Sequence, residues 1–413
     1  MMSLEYIDLD YKPEANEVVC EFFVEPSVGI SLEKACEDIA KESSIGTWTS
    51  LATMKPEIAS KLKPHVFEID AENKIVKISY PSELFEKGNM PQILSSIAGN
   101  IFGMKSIKNL RLLDVHFPKT LAKSFKGPEF GIEGVRKILK VKERPLLGTI
   151  VKPKVGLPAK EHAKVAYQAW VGGCDIVKDD ENLTSQSFSP FEDRVIETLE
   201  MRDKAEEETG EVKVYMPNVT SSCEEMLRRA EFVKEHGGRY VMVDIVTSGF
   251  SALQTLRDSN LKLVIHAHRA MHAAFTRNKK HGISMLVLAK ISRLIGVDQL
   301  HIGTVVGKME GSKQEVLKIK DGIISPFFGI KPVFPVCSGG LHPGLVEKLI
   351  DILGKDIIIQ AGGGVHGHPS GTEAGAKAMR QAIDAVMKGI PLKEFAEERK
   401  ELKAAIEKWG IIF

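Results

Sequence analysis

Short apolar runs rich in β-branched residues recur along the chain from about residue 145 onward, and they alternate with helical patterns such as AKEHAKVAYQAWVGG and GLVEKLIDILGK. Continuous apolar strands separated by helices are typical of a parallel sheet covered by helices. Eight such units in succession, roughly 30 residues apart, favour a closed (β/α)8 barrel over an open sheet. The runs are GTIVKPK, CDIVKDDE, VKVYMPN, RYVMVDIV, KLVIHAHR, QLHIGTVVGK, VFPVCSGG and IIIQAGGG.

Polar or glycine residues end each of these runs. The carboxyl ends of the strands of a β/α barrel meet at one mouth, where the chemistry of such proteins lies. Charged residues in solvated loops would account for one or two of these ends, but not for eight. The residues are Lys152, Lys154, Lys178 to Glu181, Asn218, Asp244, His268, Arg269, His301, Ser338 to Gly340 and Gly362 to Gly364.

Residues 1–125 have a different pattern. Strand-like segments (EVVCEFFVEP, VKISYPSELF, RLLDVHFP) are interspersed with helix-like segments (ISLEKACEDIAKES, MPQILSSIAGNIFG). The order strand-helix-strand-strand-helix-strand predicts a small ferredoxin-like α+β domain. The stretch PKTLAKSFKGPEFG is rich in Lys, Gly and Pro and is predicted to be a linker. We therefore expect an N-terminal domain at 1–125 and a barrel domain at 126–413.

Composition narrows the class of protein. The 56 basic and 55 acidic residues nearly cancel, so no bulk charge attracts nucleic acid or an anionic membrane. The five cysteines are odd in number and form no C-x-x-C pair, which favours buried thiols over a disulfide framework or a zinc site. No apolar run approaches a membrane span. We expect a cytoplasmic protein that binds any anionic ligand through local basic residues.

The most specific local signal is Lys178-Asp-Asp-Glu181. Lys178 and Asp180 share one face of an extended strand, and Glu181 follows where the strand turns into its loop. Converging carboxylates are ligands that Mg²⁺ prefers. A lysine ammonium would repel the metal, unless CO₂ converts the amine into a carbamate, which adds a third anionic ligand and a base. The alternative is an ion-paired strand end without a metal.

Phosphate chemistry is indicated at the later strand ends. Barrels commonly bind phosphate through backbone N–H groups after strands seven and eight, where two glycine clusters occur here. A glycine triplet alone is more often a turn. With Arg269 and His301 across the mouth, the two clusters predict a substrate with two phosphates. GTVVGK at 303–308 has the wrong spacing for a P-loop, and we interpret it as a loop that presents Lys308 as a lid cation.

In these features the chain resembles the large subunit of ribulose-1,5-bisphosphate carboxylase/oxygenase (RuBisCO) over essentially its whole length. Its sequence motifs are most similar to those of the archaeal (form III) branch. The motifs that carry the resemblance are ESSIGTWT, GNIFGMK, KPKVGL, GGCDIVKDDEN, HAHRAMHAAFTRNKKHGI, HIGTVVGKMEG, SGGLHPG and GGGVHGHP.

The resemblance implies roles for individual residues. Lys178 is the carbamylated lysine and, with Asp180 and Glu181, holds one Mg²⁺ per site. Lys152 is a proton donor, His268 a proton-relay candidate and Lys308 the lid cation that orients CO₂ and pairs with Glu42. The residues implied to bind substrate are Lys154, Thr47, Trp48, Arg269, His301, Ser338, Gly339, Gly340, Gly362 and Gly363.

The same resemblance implies the reaction and its partners. Ribulose 1,5-bisphosphate and CO₂ (or O₂ in a side reaction) are the substrates, and two 3-phosphoglycerates are the product of carboxylation. Glu42, Thr47, Trp48 and Asn100 complete the site of a neighbouring subunit, which makes a homodimer the smallest active unit. Assembly of dimers into a higher oligomer is left open, no small subunit is expected, and the pathway implied is archaeal AMP and nucleoside salvage.

Two other functions are compatible with the same fold. An enolase or isomerase of the same fold would stop at proton abstraction, and such relatives typically replace the loop lysine and the asparagine. A catalytically inactive binding protein would have lost residues at the mouth. Lys308, Asn100, Glu42 and Ser338 are all present, which favours the carboxylase.

Overall fold

The computed structural model describes residues 5–306 and 312–412. Two compact units make up this part of the chain. The first comprises the residues up to Lys126 together with Met271–Ile295 and Phe327–Ile330. The second comprises Gly127–Ala270, Gly296–Pro326 and the described residues from Lys331 onward. The units are therefore not two consecutive segments of the chain.

The described strands are β1 (Val18–Pro26), β2 (His65–Asp70), β3 (Ile75–Tyr80), β4 (Ile107–His116), β5 (Leu146–Ile150), β6 (Ile176–Lys178), β7 (Val214–Met216), β8 (Tyr240–Asp244), β9 (Val264–His268), β10 (Gly282–Ile283), β11 (Gln299–His301), β12 (Phe334–Ser338) and β13 (Ile358–Gln360).

The described α-helices are α1 (Leu32–Glu42), α2 (Pro56–Leu62), α3 (Met90–Ile97), α4 (Lys119–Ala122), α5 (Gly131–Leu139), α6 (Ala159–Val171), α7 (Phe191–Thr209), α8 (Cys223–Glu235), α9 (Phe250–Asp258), α10 (His272–Thr276), α11 (Met285–Ile295), α12 (Lys313–Ile324), α13 (Val346–Leu353), α14 (Gly363–His366), α15 (Thr372–Lys388), α16 (Leu392–Phe395) and α17 (Lys400–Trp409). Three short 3₁₀ turns lie at Ser82–Leu84, Asn100–Gly103 and Pro343–Leu345.

The first unit is built on a five-stranded sheet in the order β10-β4-β1-β3-β2. The central strand β1 pairs antiparallel with β3 and β4, and its side chains alternate between buried and partly exposed. This alternation places one face of the strand in the core. The chain order of β1 to β4 with α1 and α3 is the predicted α+β arrangement, to which the structure adds α2 and the parallel strand β10.

The second unit is a parallel barrel of eight strands in the order β7-β6-β5-β13-β12-β11-β9-β8. Its two outer strands meet through a parallel bridge between Asn218 and Met242. Backbone hydrogen bonds from Met242 N to Pro217 O (2.8 Å) and from Val219 N to Met242 O (3.0 Å) close this seam. The predicted fold class, a (β/α)8 barrel preceded by an α+β domain, is confirmed, and all eight predicted strand runs are strands of the barrel.

Apolar side chains fill the amino-terminal end of the barrel. Val135 and Leu139 of α5 pack there against inward-facing residues of the strands, including Ile176 and Val336. This helix lies in the segment just after the predicted linker, which itself contains the short helix α4. The opposite, carboxyl-terminal end of the barrel is thereby left for polar residues. No helix among the described residues is long and apolar enough to cross a membrane.

Truncation of the barrel core should reduce stability. Ile176 is fully buried in the core cluster, so Ile176→Ala should lower the free energy of unfolding by about 2–5 kcal/mol through lost burial and the cavity left behind. Ile196 on α7 is 37% exposed, and Ile196→Ala should cost less than about 1 kcal/mol. Denaturant unfolding of both variants measures the difference. Equal losses would contradict the position of Ile176 in the core.

Candidate functional site

Lys178 ends β6 inside the barrel mouth and is only 1% exposed. Its Nζ donates to the backbone oxygen of Asp179 at 2.7 Å and lies 3.9 Å from Oε2 of Glu181. Burial disfavours the charged amine and lowers its pKa, although the nearby carboxylates act in the opposite direction. A buried lysine whose charge is destabilised and whose neighbours are carboxylates is typical of a functional site.

Lys152 and Lys154 follow β5 and face the same carboxylates. Nζ of Lys152 donates to Oδ2 of Asp180 at 2.9 Å, and Nζ of Lys154 lies 3.8 Å from Oε1 of Glu181. Burial acts to raise the pKa of Asp180, but the hydrogen bond and charge of Lys152 outweigh it and lower that pKa. The structure thus brings together five of the six residues predicted at the first two strand ends, all except Asp179.

His268 at the end of β9 is oriented by a carboxylate. Its Nδ1 bonds to Oδ1 of Asp244, at the end of β8, at 2.6 Å. The other ring nitrogen, Nε2, lies 3.7 Å from Oε2 of Glu181. A histidine held in this way has a defined tautomer and presents Nε2 to the mouth. Asp244 was noted as a polar strand end but not predicted as a site residue.

A chain of hydrogen bonds runs beneath the mouth through two buried histidines. With the Gln299 amide oxygen as acceptor, His266 Nδ1 donates to it at 2.9 Å, so His266 Nε2 accepts from His301 Nε2 at 2.8 Å. His301 Nδ1 then accepts from the hydroxyl of Ser338 at 2.9 Å. Burial lowers the pKa of His266 to about 3 and that of His301 well below its usual value. Both histidines are therefore neutral.

This arrangement bears on the predicted phosphate contact of His301. Both of its ring nitrogens are bonded to protein groups in this structure, so a direct contact with a phosphate would require one of these bonds to open. Sequence reasoning missed His266 and Gln299. The pattern His266-Ala-His268 could have revealed His266, because alternate residues of a strand share a face in the absence of a bulge.

Arg269 is a half-buried cation next to His268. No carboxylate in the described ranges forms an ion pair with it, and burial lowers the pKa of its guanidinium to about 10. A Cβ on Gly303, at φ +94°, would come within 2.9 Å of Nη2 of Arg269. The glycine allows this close approach. Lys308, the predicted lid cation, lies outside the described residues.

The two predicted glycine clusters follow β12 and β13 and lie next to each other. A Cβ on Gly364 would meet the backbone oxygen of Leu341 at 2.2 Å, so the two loops can approach only because a glycine is present. A Cβ on Gly362 would lie 3.1 Å from Cε of Lys152. Gly339 and Gly340 have φ values of 114° and 73°. The glycine loops therefore border Lys152 and the neighbouring lysines at the mouth of the barrel, Lys154 and Lys178.

The remaining predicted residues belong to the first unit. Glu42, Thr47, Trp48 and Asn100 line a cleft of about 750 Å³ together with three lysines, Lys34, Lys41 and Lys105. Nδ2 of Asn100 donates to Oε1 of Glu42 at 3.3 Å. Trp48 is 92% exposed, which is unusual for so large an apolar side chain. The four residues thus share one surface.

A closed barrel that carries lysines, carboxylates and an Asp-His pair at the carboxyl ends of its strands defines a barrel enzyme. The family is given by comparison with known proteins. Residues 131–409 match the ribulose bisphosphate carboxylase large chain catalytic domain, and residues 5–121 match the N-terminal domain of the same chain. The chain belongs to the RuBisCO large-chain family.

Relatives and solved structures agree with this assignment. Ribulose bisphosphate carboxylase from Methanocaldococcus jannaschii is 59% identical over 98% of this chain and 100% of its own. An octameric RuBisCO structure from Pyrococcus horikoshii, in complex with sulfate ion, superposes with a TM-score of 0.95 at 51% identity, covering 99% of both chains. A dimeric archaeal RuBisCO from Hyperthermus butylicus gives 0.93 at 47% identity, covering 98% of this chain and 99% of its own. The predicted family and its enzyme class are confirmed.

The neutral state of the buried histidines predicts how stability depends on pH. In the unfolded chain His266 becomes protonated below about pH 6.5, whereas in the folded chain it stays neutral down to about pH 3. The free energy of unfolding should therefore fall with decreasing pH in this window, by about 1.4 kcal/mol per pH unit for this residue. In urea unfolding between pH 6 and 5, His266→Gln should show a slope shallower by about one proton. An unchanged slope in His266→Gln would mean that the folded protein protonates His266.

Proposed function

We propose that this chain is a Mg²⁺-dependent ribulose-bisphosphate carboxylase. It adds CO₂ and then water to ribulose 1,5-bisphosphate, and cleavage of a carbon-carbon bond gives two molecules of 3-phosphoglycerate, with O₂ competing with CO₂. The observation that carries the proposal is the buried Lys178 beside Asp180 and Glu181 at a strand end, in a chain of the RuBisCO large-chain family. From the resemblance of its motifs to the archaeal branch, we assign it to AMP and nucleoside salvage.

The residues at the mouth fit a magnesium ion. Asp180 and Glu181 supply hard oxygen donors, while no group of three His, Cys, Asp or Glu side chains able to hold a metal exists in the described part of the chain. A carbamate formed from CO₂ on the Lys178 amine would provide the missing anionic donor. When bound, Mg²⁺ would stabilise the negative charge that develops on the substrate oxygens.

Proton transfer can be assigned to groups of the chain itself. With Nδ1 of His268 bonded to Asp244, its Nε2 is available to take up and return a proton on the substrate. Lys152 approaches the same space from β5 and is held by Asp180. We assign to Lys152 the delivery of a proton to the carbanion left by carbon-carbon cleavage, and to Lys154 a supporting contact near Glu181.

Substrate binding is assigned to one unpaired cation and to the glycine loops that border Lys152. Arg269 has no carboxylate partner among the described residues, so its charge is available for one phosphate. Gly362 and Gly363 provide backbone N–H groups for the other, next to Gly339 and Gly340. The hydroxyl of Ser338 donates to His301, so its oxygen can accept a hydrogen bond from a substrate hydroxyl.

A second subunit would complete each site. Glu42, Thr47, Trp48 and Asn100 share a cleft in the first unit, and an aromatic side chain as exposed as Trp48 is typical of a surface that another molecule covers. The related structures are described as octameric and dimeric. We propose a homodimer with shared active sites, with Lys308 acting as the cation over the incoming CO₂ and pairing with Glu42.

Labelled CO₂ tests the reaction. Wild-type protein preincubated with CO₂ and Mg²⁺ should convert ribulose 1,5-bisphosphate into labelled 3-phosphoglycerate. Lys178→Arg keeps the charge but forms no carbamate, and it should lower the rate at least about 1000-fold, corresponding to about 4 kcal/mol of transition-state stabilisation. Lys213 is an equally buried lysine, bonded to Cys174 O and Glu211, and Lys213→Arg should stay active per folded molecule.

Two outcomes would overturn the proposal. Full carboxylation by Lys178→Arg would remove Lys178 from the reaction. A wild-type protein that exchanges the C3 proton of the substrate with solvent, but incorporates no label, would be an enolase of the same fold.

Mixed oligomers test the shared site. Homo-oligomers of Asn100→Ala and of Lys178→Ala should both be inactive. Heterodimers of the two should regain activity, because one of their two sites combines an intact barrel with an intact cleft. Differently tagged chains allow the heterodimer to be purified and assayed. Asn100→Ala paired with Glu42→Ala is the matched control and should stay inactive, since both of its clefts are damaged. Equal activity of the two heterodimers would place the cleft and barrel residues of a site in one subunit.

A further inference from the structure

Asp179 lies between two proposed site residues, but its side chain points to the opposite side of the strand. Residues Lys178 and Asp180 face the mouth, so strand alternation turns Asp179 outward into the layer between the barrel and its helices. The carboxylate is 0% exposed. An isolated charge at such a position would be strongly destabilising, so the position requires partners.

Asp179 has partners on both carboxylate oxygens. Oδ2 accepts hydrogen bonds from Arg194 Nε and Nη2 at 3.2 and 3.1 Å and from the backbone N of Asn218 at 2.9 Å. Oδ1 accepts from the hydroxyl of Tyr215 at 2.7 Å and lies 3.1 Å from Nε2 of His162. Burial acts to raise the pKa of Asp179, but the guanidinium outweighs it, and the carboxylate is an anion.

These partners come from the elements around the end of β6. His162 lies on α6, Arg194 on α7 and Tyr215 on β7, and the Asn218 amide follows β7 at the seam of the barrel. Arg194 is itself 0% exposed and also donates to Ser189 O at 2.8 Å. Hydrogen bonds of this one carboxylate therefore join the end of β6 to α7 and to the neighbouring strand, and His162 of α6 lies against it.

We propose that Asp179 is a positioning residue whose buried anion fixes the end of β6, so that Lys178 and Asp180 face the mouth together. The inference rests on the proposed metal site at Lys178, Asp180 and Glu181. Metal ligands depend on the outer groups that orient them, and loss of such a group typically weakens metal binding about 10–100-fold. Because Asp179 faces away from the mouth, this role is exerted through Lys178 and Asp180 and needs no contact of Asp179 with metal or substrate.

Asp179→Asn tests this role with little change in volume. The amide can keep its oxygen toward Arg194 and the Asn218 N–H, with its NH2 group facing the Tyr215 hydroxyl, which can accept instead of donate. The substitution therefore removes the negative charge that offsets the buried Arg194 guanidinium and reverses the hydrogen bond with Tyr215. The measurement is the ¹³C NMR signal of the carbamate formed from ¹³CO₂, titrated with Mg²⁺ in the absence of substrate. Half-saturation should require at least tenfold more Mg²⁺ than in wild type.

Asp298→Asn is the matched control. Asp298 is equally buried, pairs with Arg257 at 2.6 Å, and accepts from the backbone N of Phe130, Gly131 and Ile265. It precedes β11 at the amino-terminal end of the barrel, so its loss should lower the melting temperature but leave Mg²⁺ half-saturation within twofold of wild type. Equal loss of loading in both variants would show general destabilisation and overturn the inference, as would wild-type loading by Asp179→Asn.

The remaining outcomes are also decisive. If wild-type protein forms no carbamate signal, the proposed function fails, and this result is distinct from failure of the positioning role. If Asp179→Asn does not fold, Tyr215→Phe removes one hydrogen bond and keeps the ion pair. It should raise the Mg²⁺ requirement at least twofold, and an unchanged requirement would overturn the inference.

Discussion

Closure of the barrel at the seam between β7 and β8 is the constraint on which the rest of this structure depends. The backbone hydrogen bonds of Met242 to Pro217 and Val219 satisfy both outer strands, so no edge of the sheet remains open. Because all eight strands are parallel, closure also brings their carboxyl ends to one mouth. Residues from distant parts of the chain, such as Lys178 and Ser338, become neighbours of one site for this reason alone.

The mouth combines charges with a neutral support beneath them. Lys152 lies 2.9 Å from Asp180 and Lys154 3.8 Å from Glu181, so these positive and negative groups stabilise one another. Lys178 lies 3.9 Å from Glu181, but burial lowers the pKa of its amine. Below this layer the buried histidine pair is uncharged, because burial makes an additional charge costly there. At the mouth, Arg269 has no carboxylate partner among the described residues, and an unpaired cation is what an anion-binding position requires.

Because successive residues of a strand point in opposite directions, the end of β6 places site residues on the inner side of the barrel and Asp179 on the outer side. The inward residues carry the proposed chemistry, and the outward Asp179 bonds to α7 and the next strand. Apolar and polar residues are also separated along the barrel axis. Apolar residues such as Val135 and Ile176 fill one end, and polar residues occupy the other. Stability and chemistry are therefore supplied by different residues of the same strands.

The sequence by itself determined the eight-strand barrel, the α+β unit before it and the polar strand ends, because strand and helix periodicity and the residues that end each strand are local properties. Lys178, Asp180 and Glu181 could be proposed from their spacing for the same reason. Only the tertiary structure decided that Asp244 orients His268, that His266 and Gln299 support His301, and that Met271–Ile295 packs with the first unit through β10 and β4. These contacts join residues far apart in the chain, and they depend on the register of paired strands and on side-chain orientation, which local periodicity does not contain.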